Sequence, residues 1–89
     1  MKRIQVRVYG RVQGVSFRVW CKEQALEKNL VGLVRNEENG SVYIELEGDF
    51  KAVQSVVAAC YFGPELAVVT DVSTKEISLK KDNEFEIHD

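Results

Sequence analysis

The sequence predicts an α+β fold, a ferredoxin-like βαββαβ sandwich with an antiparallel sheet in strand order 4-1-3-2, two helices on one face and a short terminal strand. Three observations carry this. Strand-type alternation (Ile4, Val6, Val8) runs into a glycine loop and then into a helix-type pattern (Phe17, Cys21, Ala25). A strand, hairpin and strand follow, with Asn39-Gly40 as the turn signature. A second apolar stripe at helical spacing, Val53, Val56, Val57 and Cys60, precedes a β-branched run. Strand-helix-strand followed by hairpin, helix and strand is the split βαβ arrangement.

Each element has its own justification. Arg3 to Tyr9 alternates, with Ile4, Val6 and Val8 on one side and Gln5 and Arg7 on the other, which fits a half-buried strand. Ser16 to Lys28 reads as the first helix, with Ser16 at the N-cap and Asn29 in the left-handed position that ends it. Val31 to Asn36 is the second strand and Ser41 to Glu47 the third, with Val42, Ile44 and Leu46 inward and Tyr43, Glu45 and Glu47 outward. Asp49 caps the second helix and Gly63-Pro64 ends it. Ala67 to Lys75 is a long strand, Ser78 to Glu84 a loop, and Glu84 to Ile87 a short closing strand. In this order the glycine loop and Asn36 fall at the same end of the sheet.

Composition narrows the function classes. The 89 residues suit one small domain, residues 1–89, with no repeat or linker. A net charge of −2 argues against nucleic acid, and Tyr9 and Tyr43 are too few aromatics for an RNA-binding sheet. No apolar run reaches transmembrane length, and the N-terminus alternates at once, unlike a signal peptide. The expectation is a cytoplasmic monomer acting on a small molecule, with neither membrane nor nucleic-acid partner. Cys21 and Cys60 lack metal-ligand spacing and His88 is the sole histidine, so neither a metal site nor a Ser-His triad is expected. His88 reads as a solvated tail residue. Both cysteines fall on core faces at one end of the helix pair. Burial and a cytosolic setting favour free thiols, with a disulfide as the alternative.

The stretch Gly10-Arg11-Val12-Gln13-Gly14-Val15-Ser16-Phe17-Arg18 carries the chemistry. A loop that opens a helix presents unpaired N–H groups at the positive end of the helix dipole, and these bind phosphate or carboxylate. Arg18, in the first turn, has a planar fork that grips two oxygens of one anion. Arg3, Arg7, Arg11, Arg18 and Arg35 make the first 36 residues locally basic. The loop is neither a dinucleotide fingerprint nor a P-loop. On these residues alone an anion cradle and a plain turn both stay open. So do a solvated Arg18, an Asn36 that serves a turn, peripheral or anion-steering roles for Arg11 and Arg35, and a Trp20 that flanks the mouth or covers the sheet edge.

The same string resembles the first signature of the acylphosphatases. Gly32-Leu33-Val34-Arg35-Asn36 with Gly40-Ser41-Val42 resembles their second, and Gly63-Pro64 and the late Val-rich strand fall where the family has them. The resemblance implies metal-free hydrolysis of an acyl phosphate without a cofactor. It assigns phosphate binding to Arg18 and the loop Gly14, Val15, Ser16 and Phe17, and orientation of the attacking water to Asn36. Two positions depart from the family pattern. Leu33 replaces a usual aromatic, which is expected to alter packing beneath Asn36, and Ser16 stands where glycine is common. The competing class is a non-catalytic ferredoxin-like module that uses the cradle only to bind an anion.

Overall fold

A computed structural model describes all residues from Met1 to Asp89. The elements run β1 (Lys2–Arg11), α1 (Phe17–Glu27), β2 (Val31–Asn36), β3 (Val42–Gly48), α2 (Phe50–Cys60), β4 (Val68–Ile77) and β5 (Phe85–His88). The sheet order is β4-β1-β3-β2-β5, so the predicted 4-1-3-2 core is present. The sheet is mixed, not purely antiparallel, because β5 pairs parallel with the edge strand β2. Residues 78–84 carry the chain from β4 at one edge of the sheet to β5 at the other, where β5 lies beside β2.

Both helices cover one face, α1 over β2 and β5, α2 over β1 and β3. Beneath them lies one core that includes Val6, Val8, Phe17, Cys21, Ile44, Leu46, Val53, Val56 and Phe85. Asn29 ends α1 as expected: its φ is 57°, and the Leu30 amide reaches back to the Ala25 carbonyl at 2.9 Å. Asp49 caps α2 by accepting from the Ala52 amide. Cys21 and Cys60 are buried free thiols. Burial raises both, Cys60 to about 12 and Cys21 well above the ordinary thiol range, so neither is a nucleophile at neutral pH.

The outer face departs from the simple alternation. Every residue of β3 is buried, including Tyr43, Glu45 and Glu47. Glu45 and Glu47 lie beneath the crossing segment and beside Arg3, which is 0% exposed. Arg3 donates from Nε to Glu45 at 2.8 Å, from one terminal nitrogen to Glu47 at 2.9 Å and from the other to Asp82 at 3.0 Å. The Lys80 and Lys81 amides donate to the two Glu47 oxygens at 2.8 and 3.0 Å. The crossing segment is therefore clamped to the sheet by side-chain carboxylates, and Arg3 belongs to this clamp, not to a basic anion site. Further along, Arg7 and Arg35 flank Tyr43 with their guanidinium carbons 4.7 and 4.2 Å from its ring centre, and both pair with Glu37. Alternation decides these placements. Leu33 pairs with Glu45 on this outer face, whereas Asn36 shares the parity of buried Val34. Leu33 is thus on the opposite face from Asn36, not packed beneath it.

This clamp makes stability acid-sensitive. Burial pushes the Glu45 carboxyl up, but bonds from Tyr43, Arg3 and Lys80 outweigh it and hold the group at about 2. Glu47 is lowered in the same way against its own burial. Carboxyls held below their unfolded value stabilise fully above about pH 5, and that contribution is lost as pH falls toward 2. The urea midpoint should fall steadily over that range, and Glu45→Gln should flatten the slope. An unchanged slope in the variant would remove Glu45 as its source.

Candidate active site

Topology collects four chain segments at one end of the sheet. β1 ends there at Arg11, β2 ends at Asn36, and β4 begins at Val68 opposite Arg11. β5, parallel to β2, ends there at His88. Between β1 and α1 the backbone takes left-handed values at Gly14 (φ 74°) and Ser16 (φ 65°), which turn the chain back into the helix. Ser16 is not a side-chain cap; its hydroxyl makes no capping bond. Its left-handed backbone explains why glycine suits this position, since a side chain there is strained by about 1 kcal/mol. Ser16→Gly should leave stability equal or higher by up to about 1 kcal/mol, and Ser16→Val should lower it by more, as read by urea denaturation.

The first helical bond of α1 runs from the Trp20 amide to the Ser16 carbonyl at 3.0 Å. The amides of Phe17, Arg18 and Val19 are left outside the ladder at the positive end of the helix. They border a small cavity of about 120 Å³ lined by Val12, Gly14, Ser16, Phe17, Arg18, Val19 and Asn36. Arg18 and Asn36, 18 positions apart in sequence, thus face one space. Val15 does not line it; its side chain is buried in the core. Trp20 packs its ring at 67° to Phe17, with centroids 5.1 Å apart, and supports the cavity wall. Arg11 and Arg35 do not line the cavity.

Two features of this end were not read from the sequence. The Gln13 side chain donates to the Glu37 carbonyl at 2.8 Å and to the Ser41 carbonyl at 2.9 Å, tying the glycine loop to the β2–β3 turn. The position of Asn36 relative to the loop is fixed by this bridge. Gln13 lies within the glycine-rich string but gives no charge or periodicity signal, so only the assembled turn reveals its partners. The second feature is the end of β5. The His88 carbonyl accepts from an Arg18 terminal nitrogen at 3.0 Å, and Asp89 Oδ1 lies 3.7 Å from it. His88 is therefore part of the Arg18 support, not a free tail. Its ring faces Glu86 at 3.0 Å.

The turn after β2 closes without the Asn36 side chain. The Gly40 amide donates to the Glu37 carbonyl at 3.1 Å, and Asn39 Oδ1 accepts from the Ser41 amide at 3.0 Å and its hydroxyl at 2.6 Å. Asn39 serves the turn, leaving the Asn36 amide at the cavity.

Comparison with known proteins places the whole chain. The family model described as Acylphosphatase matches residues 4–87. The chain belongs to the acylphosphatase family. Among curated relatives, the acylphosphatase of Mesorhizobium japonicum is 45% identical over 76 residues, covering 85% of this chain and 81% of that protein. That of Thermotoga maritima is 39% identical over 87 residues, covering 98% of this chain and 97% of the relative. The crystal structure of acylphosphatase from Bacillus subtilis superposes with a TM-score of 0.96 at 39% identity and covers 99% of both chains. The agreement extends to β5, so the mixed five-stranded sheet is the acylphosphatase form of the ferredoxin-like fold. In this acylphosphatase-family chain no carboxylate, imidazole or thiol lines the cavity.

Proposed function

We propose that this chain hydrolyses acyl phosphates to a carboxylate and inorganic phosphate, with the Arg18 side chain and the loop and first-turn amides at the cavity, from Gly14, Ser16, Phe17, Arg18 and Val19, holding the phosphoryl group and Asn36 orienting the attacking water. The observation that carries this reading is the convergence of Arg18, the unpaired first-turn amides and Asn36 on one cavity of about 120 Å³. A space of that size holds a phosphoryl group and a water, and the walls supply donors for anionic oxygens.

Phosphoryl transfer needs positioning and charge stabilisation more than covalent help. The Arg18 fork and the amides neutralise charge on the non-bridging oxygens as the bond to the leaving oxygen stretches. Pinned by the His88 carbonyl at one terminal nitrogen, the guanidinium keeps its other donors for substrate. The Asn36 amide accepts from the water and donates toward the phosphoryl group. Water oxygen bonds to phosphorus, the anhydride P–O bond breaks, and the electron pair leaves on the carboxylate. An amide is too weak a base to take the water proton, which passes to a phosphate oxygen. A carboxylate leaves readily, so no acid is needed to protonate it. The donor set, without carboxylate, imidazole or thiol, favours a metal-free reaction, and we read the chain as a cytoplasmic monomer in which residues 1–89 act as one domain. Phosphate release from benzoyl phosphate, with and without chelator, tests the reading. Turnover indifferent to chelator is expected; a folded protein that binds phosphate without releasing it from benzoyl phosphate would be an anion-binding module instead.

A further inference from the structure

A cavity of about 120 Å³ leaves the group attached to the phosphoryl group outside it, beside a rim that includes apolar residues. Val19, one of the lining residues, is 54% exposed. The α2–β4 connection lies alongside. Its Gly63, at φ +70°, sits so close to the lining residue Phe17 that a side chain there would meet the Phe17 ring at 2.6 Å. This connection is fixed in shape: the Phe62 and Gly63 amides donate to the Ala59 carbonyl, and the Ala67 amide to the Pro64 carbonyl, at 2.9–3.1 Å. From it Phe62 (78% exposed), Leu66 (71%) and Val68 (57%) turn their side chains to solvent. Val68 is the residue paired with Arg11, where the glycine loop begins.

Large apolar side chains held in water on a rigid loop cost stability and contribute nothing to the core. The connection that carries them packs through Gly63 on Phe17 of the cavity wall, which points to one occupant. We infer that Phe62 and Leu66, with Val19, form a surface that takes the acyl portion of the substrate, and that the substrate class is acyl phosphates with an apolar acyl group, aromatic or aliphatic. The inference rests on the acyl phosphate reading given above. Anhydride geometry supports it, because the acyl carbon is one oxygen away from the phosphorus and so lies at the cavity mouth. Arg11, paired with Val68, places a cation beside this surface and would instead favour an acyl group that carries its own carboxylate.

The test is the chain-length dependence of kcat/KM for acetyl, hexanoyl, benzoyl and succinyl phosphate, in the wild type and in the double variant Phe62→Ser, Leu66→Ser. A methylene fully removed from water is worth about fourfold in affinity, and one lying on an open surface about twofold. Hexanoyl phosphate should therefore exceed acetyl phosphate roughly tenfold, through KM and not kcat. In the double variant the ratio should shrink to about twofold. Ratios taken within one protein are insensitive to the folded fraction. Equal kcat/KM for acetyl and hexanoyl phosphate, or a ratio that survives the double substitution, overturns the acyl surface while leaving acyl phosphate hydrolysis standing. A preference for succinyl phosphate that is lost in Arg11→Gln also overturns it. Failure to turn over any of the four overturns both readings together.

Discussion

Arg18→Ala should abolish turnover and, in the same step, inhibition by inorganic phosphate. On the proposed mechanism phosphate is both product and the group held in the cavity, so in the intact protein it should inhibit competitively. The guanidinium is the only charged group lining the cavity. A positioned arginine acting on a transferring phosphoryl group is worth about 10³–10⁵-fold in rate, and its charge-assisted contacts dominate ground-state binding of the dianion as well. Lysine at position 18 should recover little. It keeps the charge but lacks the planar fork that meets two phosphate oxygens while one nitrogen remains bonded to the His88 carbonyl. Rate and phosphate inhibition constant are measured together on the Ala and Lys variants. Near-normal phosphate affinity in the Ala variant would refute the assignment.

On the same mechanism, variants of Asn36 should separate binding from chemistry. Asn36→Ala should slow turnover by about 10²–10³-fold, the usual loss for one positioned hydrogen-bonding group acting on the transition state. The phosphate inhibition constant should stay within about twofold, because the first-turn amides and Arg18 remain. Asn36→Asp is the sharper variant. It preserves size but places a carboxylate against an anionic substrate and removes the amide donor. A neutral positioner predicts that Asp is as slow as Ala or slower, with weaker phosphate binding. A surrogate general base predicts an active Asp variant, and that result would overturn the mechanism. A turn-forming role predicts no change in either quantity, and the structure already assigns the turn to Asn39.

Much of this was legible because short-range patterns and topology agree. The stripe Val53, Val56 and Cys60 reads as a helix and is one, since its spacing matches the helical repeat. Convergence of the glycine loop and Asn36 follows from strand direction alone. What was not legible depends on long-range partners. The alternation of β3 places Tyr43, Glu45 and Glu47 on the outer face, but nothing local shows that a segment more than thirty residues later covers the two glutamates. A four-residue strand such as β5 carries too little periodicity to reveal which edge it joins or that it runs parallel. The support of Arg18 by the His88 carbonyl was invisible for the same reason, being a backbone contact across 70 positions. Ser16 was misread because a serine before a helix ordinarily caps it, whereas here the loop needs a left-handed residue there.

The sheet order also sets how the chain must search for its native state. Only the β2–β3 hairpin joins neighbours in sequence, with Asn36 opposite Val42. β1, the second strand from one edge, pairs Arg3 with Glu47 on one side and with Ile77 on the other. β5 pairs Phe85 with Gly32. Most ladder contacts therefore close loops of forty residues or more before any reward is gained. Refolding should be governed by this topology, taking milliseconds to seconds, not the microseconds of a helical bundle. The hairpin is the natural early structure, and β5 has nothing to pair with until β2 is in place. Arg18 would then gain its His88 support last, so recovery of activity should lag recovery of the far-ultraviolet signal in a stopped-flow refolding experiment.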